Sequence, residues 1–265
     1  MISVICVYNN KTVLEDFLLR SLRDQTCDHE LVLLDNTRQQ FSSAAKALNH
    51  GANDAKGKYL MFVHQDIALD SNSWLVDVEK LLDSLTDLGI AGVAGARSST
   101  TTGKLEVSTN IVHGTPARRA SPKVLHKPER VQTVDECLFI VPKSVYDLLP
   151  FDEEVCCDWH LYAVDYSLMV AHSGLGAYAI PAVVYHRSGG TNKGLLQSVL
   201  SMGPYDPGYY QTLDKLLKKH RSYVMKICTT TGSWDTSLPL PLQRLCVLTT
   251  GILRGALRRV KRLGR

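Results

Sequence analysis

Ala47-Leu-Asn49-His-Gly51-Ala-Asn-Asp-Ala55-Lys-Gly57-Lys-Tyr59-Leu-Met-Phe-Val63-His64-Gln-Asp66 is the stretch on which the reading of this 265-residue chain turns. Small residues at helical spacing run from about Ser43 to Ala55, a glycine interrupts them, and the apolar run from Tyr59 to Val63 precedes a polar exit. An apolar run that short, bounded by a turn signal, reads as a buried strand. Upstream lie two more such runs, Ile2–Val7, which stops at Asn9-Asn10, and Glu30–Asp35, which stops at Asn36. Between them Val13, Leu14, Phe17, Leu18 and Leu22 fall at helical spacing, with Thr12 as the expected N-cap and Glu15 three residues on. Strand, helix, strand, helix, strand with short connections predicts an α/β fold, a mostly parallel sheet with right-handed crossovers. Ligands of such sheets bind outside the carboxyl ends of the strands, where helix N-termini converge. Those ends carry Tyr8-Asn9, Asp35-Asn36 and His64-Gln65-Asp66.

Farther along, a helix is expected from about Ser73 to Leu85, then a small-residue strand, Ile90–Gly95. Residues 97–133, rich in Ser, Thr, Pro, Lys and Arg, read as a long functional loop holding a hairpin. Val134–Val141 is expected to be a strand stopped by Pro142, and Asp158 to cap a helix from Trp159 to His172 that ends at Gly174. A strand over Ala177–Val184 then brings Tyr185-His186 to the same edge; residues 209–227 form a helix and 229–241 a linker. With 45% hydrophobic and 21% charged residues the chain suits one globular body, which excludes a disordered chain, a fibre and a disulfide miniprotein. Its seven cysteines are an odd set without metal-finger spacing, as in a reducing compartment. No apolar run approaches the ~20 residues of a membrane span, and the start lacks a secretory signal, so a cytoplasmic location is expected.

The quoted stretch resembles the signature of family 2 glycosyltransferases, in which an Asn-x-Gly helix and an Ala-x-Gly turn lead into a strand ending in Asp-x-Asp. Val4-Ile-Cys-Val-Tyr8-Asn9-Asn10 and Leu31-Val-Leu-Leu-Asp35-Asn36 are similar to that family's first two strand ends. Val134-Asp-Glu-Cys-Leu-Phe-Ile-Val, Phe151-Asp152-Glu153, Trp159-His-Leu-Tyr-Ala-Val-Asp165 and Tyr185-His186-Arg-Ser-Gly189 follow in the family's order, so that the resemblance covers about residues 2–192. It implies a Rossmann-like glycosyltransferase A fold over residues 1–228, with a nucleotide-binding half (1–96) and an acceptor-binding half (97–228). It also implies transfer of a sugar from a nucleotide diphosphate donor to a hydroxyl, with inversion. Such chemistry needs charge neutralisation on the leaving diphosphate and a base for the hydroxyl proton.

By this resemblance Asp66 is the last acid of Asp-x-Asp, a ligand for Mn²⁺ or Mg²⁺, and His186 the second protein ligand. His64 stands where an acid is usual and falls to the nucleotide side of the site. Asp35 faces the imide of uracil or thymine in a UDP- or dTDP-sugar, and Tyr8 and Asn9 frame base and ribose. Ala163 occupies the position of the family's usual base, which leaves Asp165, Asp158 and His160 as candidate proton acceptors. Asp135 and Glu136 are candidate sugar or acceptor ligands, and Trp159 a stacking platform.

The net charge of +4 is unevenly placed. Residues 242–265 hold Arg244, Arg254, Arg258, Arg259, Lys261, Arg262 and Arg265 with no acid, leaving the remainder net acidic. That argues against nucleic acid as a partner of the body and predicts a helical, basic, amphipathic tail for an anionic membrane surface, at its inner face. Transfer to a glycan or lipid-linked glycan in cell-envelope polysaccharide synthesis would fit it. A catalytically silent nucleotide-sugar-binding or scaffold subunit is the competing expectation, motivated by Ala163 and His64. A nucleotidyltransferase is disfavoured by the lack of a glycine- and arginine-rich triphosphate loop.

Overall fold

The computed structural model describes residues 1–187 and 205–249. Those residues fall into two compact units, one of residues 1–187 with Cys228–Ser233, the other of residues 205–227 and 234–249. The opening strand β1 (Ile2–Tyr8) leads into α1 (Lys11–Leu14), a π-helical turn (Glu15–Leu19) and α2 (Arg20–Arg23). Next come β2 (Glu30–Asp35), α3 (Ala44–Asn53), β3 (Tyr59–Val63), the short β4 (Ile67–Leu69) and α4 (Trp74–Asp83). β5 (Leu88–Gly92) and β6 (Ala94–Ser98) are separate strands in different sheets, so the single strand expected over Ile90–Gly95 breaks at Val93. The region 97–133 holds the β6–β7 hairpin (β7, Leu105–Thr109), the hairpin of β8 (Ile111–His113) with β9 (Arg118–Arg119), and β10 (Glu129–Val131). The strand expected over Val134–Val141 is likewise two, β11 (Thr133–Val134) and β12 (Leu138–Pro142), with Asp135, Glu136 and Cys137 in the turn between. Then follow α5 (Lys143–Tyr146), α6 (Tyr162–His172), β13 (Gly176–Ala179) and β14 (Val184–His186). α7 (Pro207–His220) and residues 240–249 are helical. The expected linker 229–241 contains the turn and second strand of a ribbon formed by β15 (Lys226–Thr229) and β16 (Gly232–Asp235).

The main sheet has the order β10-β13-β5-β12-β3-β1-β2. Three of its six pairings are parallel, so it is mixed rather than mostly parallel. The reason is β12, which returns from the 97–137 excursion instead of a helical crossover and enters antiparallel between β3 and β5. Alternation along the strands sends Ile2, Val4, Cys6, Tyr59, Met61 and Val63 to one face, against Leu14, Leu18, Leu22, Trp74, Leu75 and Val78. It sends Ile5, Leu60 and Phe62 to the other, against α3, Tyr146, Phe151, Tyr162 and Tyr166.

The motif residues explain that packing. A Cβ on Gly51 would come within 2.8 Å of Leu34 Cδ1 and 2.9 Å of Ile5 Cγ2, so any larger residue would make these core side chains shift for α3 to lie this close to β1 and β2. A Cβ on Gly57 would meet the Ser3 backbone nitrogen at 2.5 Å, and the Gly57 amide donates to Ser3 Oγ at 2.7 Å. Asn49 Nδ2 donates to Phe151 O (3.0 Å) and Glu153 Oε1 (2.9 Å), while its Oδ1 accepts from the Phe151 amide and the Tyr146 hydroxyl, each at 3.0 Å. Asn49 therefore pins the loop that leads to Trp159. No helix among the described residues is long and apolar enough to cross a membrane. The expected tail extends past them from residue 250 onward.

Candidate functional site

The ends of β1, β2 and β3 open onto a cleft of about 1100 Å³ lined by Tyr8, Asn9, Asn36, Thr37, His64, Gln65, Asp66 and Trp159 among others. Tyr8 and Asp35 are register partners across β1 and β2. Asp35 Oδ1 accepts from the Thr37 amide at 2.8 Å, and the Thr37 hydroxyl and amide, with the Tyr8 hydroxyl, hold its carboxyl below the usual range. Partial burial and Asp35 in turn push the Tyr8 hydroxyl up. Gln65 ties two strand exits together: its Oε1 accepts from the amides of Asn9 (3.1 Å) and Asn10 (2.9 Å), and its Nε2 donates to Asn9 Oδ1 at 2.7 Å. The Asn9 side chain is thus committed to Gln65. Asn10 Oδ1 accepts from the Val13 amide, so Asn10 rather than the expected Thr12 caps α1, because the helix starts two residues earlier, at Lys11.

His64, Asp66 and His186 each present a ligand atom within 4.8 Å of the others'. The tight turn after β3 sets the first two, with the Ile67 amide donating to His64 O at 3.3 Å, and β14 brings the third opposite Ile67. His186 Nε2 lies 3.4 Å from Asp66 Oδ1. Burial alone would raise the Asp66 carboxyl, but the His186 hydrogen bond and the two imidazoles bring it below its ordinary value. Burial and the neighbouring His186 lower the His64 imidazole, against Asp66 and Asp135, so its neutral form prevails. His64 Nε2 is 3.1 Å from the Tyr162 hydroxyl, an outer contact that orients the ring. Two imidazoles and a carboxylate make a donor set that suits a borderline divalent cation such as Mn²⁺.

Asp135 and Glu136 sit behind this cluster. Asp135 Oδ1 accepts from the Cys137 amide (3.1 Å) and its Oδ2 from Thr230 Oγ1 (2.5 Å). Glu136 Oε1 accepts from the Leu161 amide; burial and the adjacent Asp135 push its carboxyl up to about 8. Leu161 has φ +65° and serves as N-cap of α6, so that helix begins at Tyr162 rather than Trp159. Asp158 consequently does not cap it; its Oδ1 accepts from the Trp159 amide and its carbonyl from the Ala44 amide at 3.2 Å. Trp159, released from the helix, is 37% exposed on the cleft wall. His160 is half-buried. Asp165 lies within α6 at 1% exposure and is not among the cleft-lining residues.

The structure therefore brings Tyr8, His64, Asp66, His186 and Trp159 together at one rim, with Asp35 beside it. Gln65, Tyr162 and the Thr37–Ser42 segment are additions that the sequence pattern did not single out. A polar residue between two strand exits, as in His64-Gln65-Asp66, is the one signal that pointed to Gln65.

A family model described as "Glycosyltransferase like family" matches residues 3–184. No curated protein sequence matches the chain. Among solved structures, GalNAc-T7 with UDP, GalNAc and Mn²⁺ is similar with a TM-score of 0.56 at 14% identity, over 83% of this chain and 47% of that one. The chain thus spans about half the length of that relative. The mannosyltransferase PcManGT from Pyrobaculum calidifontis, in complex with GDP-Man and Mn²⁺, is similar with a TM-score of 0.57 at 12% identity, over 97% of this chain and 75% of that one. Both likenesses concern the fold.

Proposed function

The chain belongs to the glycosyltransferase-like family, and from that premise we propose that it transfers a sugar from a nucleotide diphosphate donor to a hydroxyl acceptor, with inversion. The carrying observation is the group His64, Asp66 and His186 at the rim of the strand-end cleft, next to Tyr8 and Asp35. These three side chains would hold a divalent cation, Mn²⁺ or Mg²⁺, which when bound would supply charge neutralisation of the leaving diphosphate. Asp35, ionised and exposed, accepts the imide N–H of uracil or thymine, which favours a UDP- or dTDP-sugar; Tyr8 flanks the base. Residues 1–96 serve the nucleotide and 97–228 the acceptor. Trp159 offers its face to a sugar ring. Asp165 is buried and Ala163 carries no acid, so we place proton removal in the 158–160 loop, with His160 as acceptor and Asp158 as its alternative. Glu136 anchors the end of that loop through the Leu161 amide, and Asp135 and Glu136 are the proposed ligands of the sugar or acceptor.

The silent-subunit reading keeps one observation on its side: Ala163 where the family's base would stand. Diphosphate release from a panel of UDP- and dTDP-sugars with Mn²⁺ separates the two. Asp66→Ala should abolish metal-dependent nucleotide binding. His160→Ala should spare it and lower turnover by about 10²–10⁴-fold. A protein that takes up no nucleotide by calorimetry, with or without Mn²⁺, overturns both readings. The basic residues 242–265 support an anionic membrane surface as partner and a glycan or lipid-linked glycan of the cell envelope as acceptor.

A further inference from the structure

The smaller unit holds a second basic run, separate from residues 242–265. It consists of Lys215, Lys218, Lys219, Arg221 and Lys226, and no acid stands between Asp214 and Asp235. The run ends in a tip. α7 stops at His220, whose carbonyl accepts from the amides of Tyr223 and Val224, each at 3.0 Å. Past the turn, the Thr236 amide donates to Met225 O at 3.0 Å and Thr236 Oγ1 donates to Val224 O at 2.6 Å, so the tip is held from both sides. On it stand Tyr223, 66% exposed, and Met225, at 86% the most exposed large apolar side chain among the described residues. Arg221 and Lys226, also exposed, bracket them.

Apolar surface continues along the segment that braces the tip. Leu238 lies two residues past Thr236, and Leu242 and Leu245 follow at a spacing of one turn in the helix 240–249. All three are exposed. Gln243 locks that helix to the segment: its Nε2 donates to Asp235 O (2.8 Å) and Leu238 O (2.9 Å), and its Oε1 accepts from the Asp235 amide at 2.7 Å. The unit's own core is built from Tyr210, Leu213, Leu216 and Trp234, so the five exposed side chains are spare apolar surface. Such surface marks an interaction site, and charge decides the partner. The basic run precedes it and six further arginines and lysines follow residue 249. A second copy of this chain would bring the same excess of positive charge and be repelled. An anionic bilayer takes both features together: headgroups meet the cations, tyrosine suits the wet boundary, and methionine and leucine reach the acyl carbons.

We propose that the tip Arg221–Lys226 and the line Leu238, Leu242 and Leu245 form an insertion edge, which lowers Tyr223 and Met225 into the headgroup boundary of an anionic bilayer. The proposal rests on the membrane-surface reading and adds to it an apolar anchor in the folded chain. The basic residues draw the chain to the surface and the edge holds it there; stable residence takes both signals.

The test uses the full chain with ¹³C-methyl methionine in isotropic bicelles of phosphatidylcholine and phosphatidylglycerol. Lipid spin-labelled near the head of an acyl chain should broaden the Met225 methyl and leave the fully buried Met61 sharp. Met225→Leu, which keeps the apolar contact, identifies the resonance. In sedimentation with phosphatidylglycerol vesicles, Tyr223→Ser combined with Met225→Ser should weaken binding by roughly tenfold, as for keeping two large side chains in water. Met225→Leu should bind like the parent, and neither variant should move the melting temperature. A Met225 methyl that stays sharp in bicelle-bound chain, or a double variant that binds like the parent, overturns the edge and leaves the membrane-surface reading standing. A parent chain that ignores anionic vesicles sinks that reading and the edge with it. A Met225 methyl that shifts with protein concentration in lipid-free buffer assigns the tip to a second copy and likewise overturns the edge.

Discussion

Glu136 shows how far the fold moves a side chain from its ordinary chemistry. Burial and the neighbouring Asp135 raise its carboxyl to about 8, while it accepts the amide of Leu161, held at φ +65°. A left-handed leucine costs on the order of 1–3 kcal/mol, so it persists only because its surroundings enforce it. The folded chain binds the Glu136 proton over a pH range in which the unfolded chain has released it. Stability contributed by that proton is complete below the ordinary carboxylate range and is lost as pH rises toward 8. Glu136→Gln keeps an acceptor for Leu161 and removes the titration. Its melting temperature should therefore match the parent near pH 4 and exceed it progressively toward pH 9, by the equivalent of about 1–3 kcal/mol after discounting solvent access. Parallel melting curves across that range refute the shifted carboxyl. At this scale the strand-end positions of Asp66, His186 and Asp35 were legible, because each closes or follows an apolar run whose end is easily located. The sequence placed Asp165 in a helix but did not disclose that its carboxyl is buried there, or that Trp159 stands free of that helix. The freeing of Trp159 depends on where that helix starts, and a left-handed Leu161 has no signature in composition.

Elements rather than single groups hold the cluster in register. The π-helical turn Glu15–Leu19 carries Phe17, whose ring stacks on Tyr185 at a centroid distance of 6.0 Å and 8° between planes. The Arg187 guanidinium lies 5.6 Å from the same ring. Phe17 thus braces the residues on either side of His186, and π-turns recur at functional sites. An aromatic pair is worth about 0.5–1.5 kcal/mol, so Phe17→Ala should weaken Mn²⁺ binding roughly threefold to tenfold with little change in global melting. Electron paramagnetic resonance titration of free Mn²⁺ reads this directly, and an unchanged isotherm removes the brace. Asn49 is the second element-scale device, joining α3 to the Phe151–Glu153 loop. Asn49→Ala strands the Phe151 amide and carbonyl and the Tyr146 hydroxyl, at a cost of about 2–4 kcal/mol. Its melting temperature should fall by on the order of 5–15 °C; a fall under 2 °C contradicts the structural role. The first three strands and their helices were legible because apolar runs and turn residues alternate cleanly through residue 66. The direction of β12 was not, since hydrophobic patterning is the same for a strand read either way, and only the path of the 97–137 excursion fixes it.

Across the whole molecule the decisive asymmetry is charge. The last 24 residues concentrate seven arginines and lysines without an acid, whereas the remainder is net acidic. Described to residue 249, this region begins as a helix at residues 240–249, with Arg244 placed over the Tyr210 ring at 4.0 Å. Arg244 is therefore engaged with aromatic surface, which leaves six basic residues beyond it to meet an anionic surface. Each such charge contributes roughly 1 kcal/mol near a lipid surface of physiological composition, and the contribution fades within a Debye length. Binding to vesicles with anionic headgroups should then be strong at 50 mM salt and fall steeply by 0.5 M, whereas zwitterionic vesicles should retain almost none. Removing residues 250–265 should abolish vesicle binding and leave UDP binding unchanged, because every residue that lines the strand-end cleft precedes residue 160. Sedimentation of the protein with the vesicles separates the outcomes. Salt-insensitive binding, or binding that survives the truncation, would transfer the membrane contact from the arginines to apolar surface elsewhere on the chain.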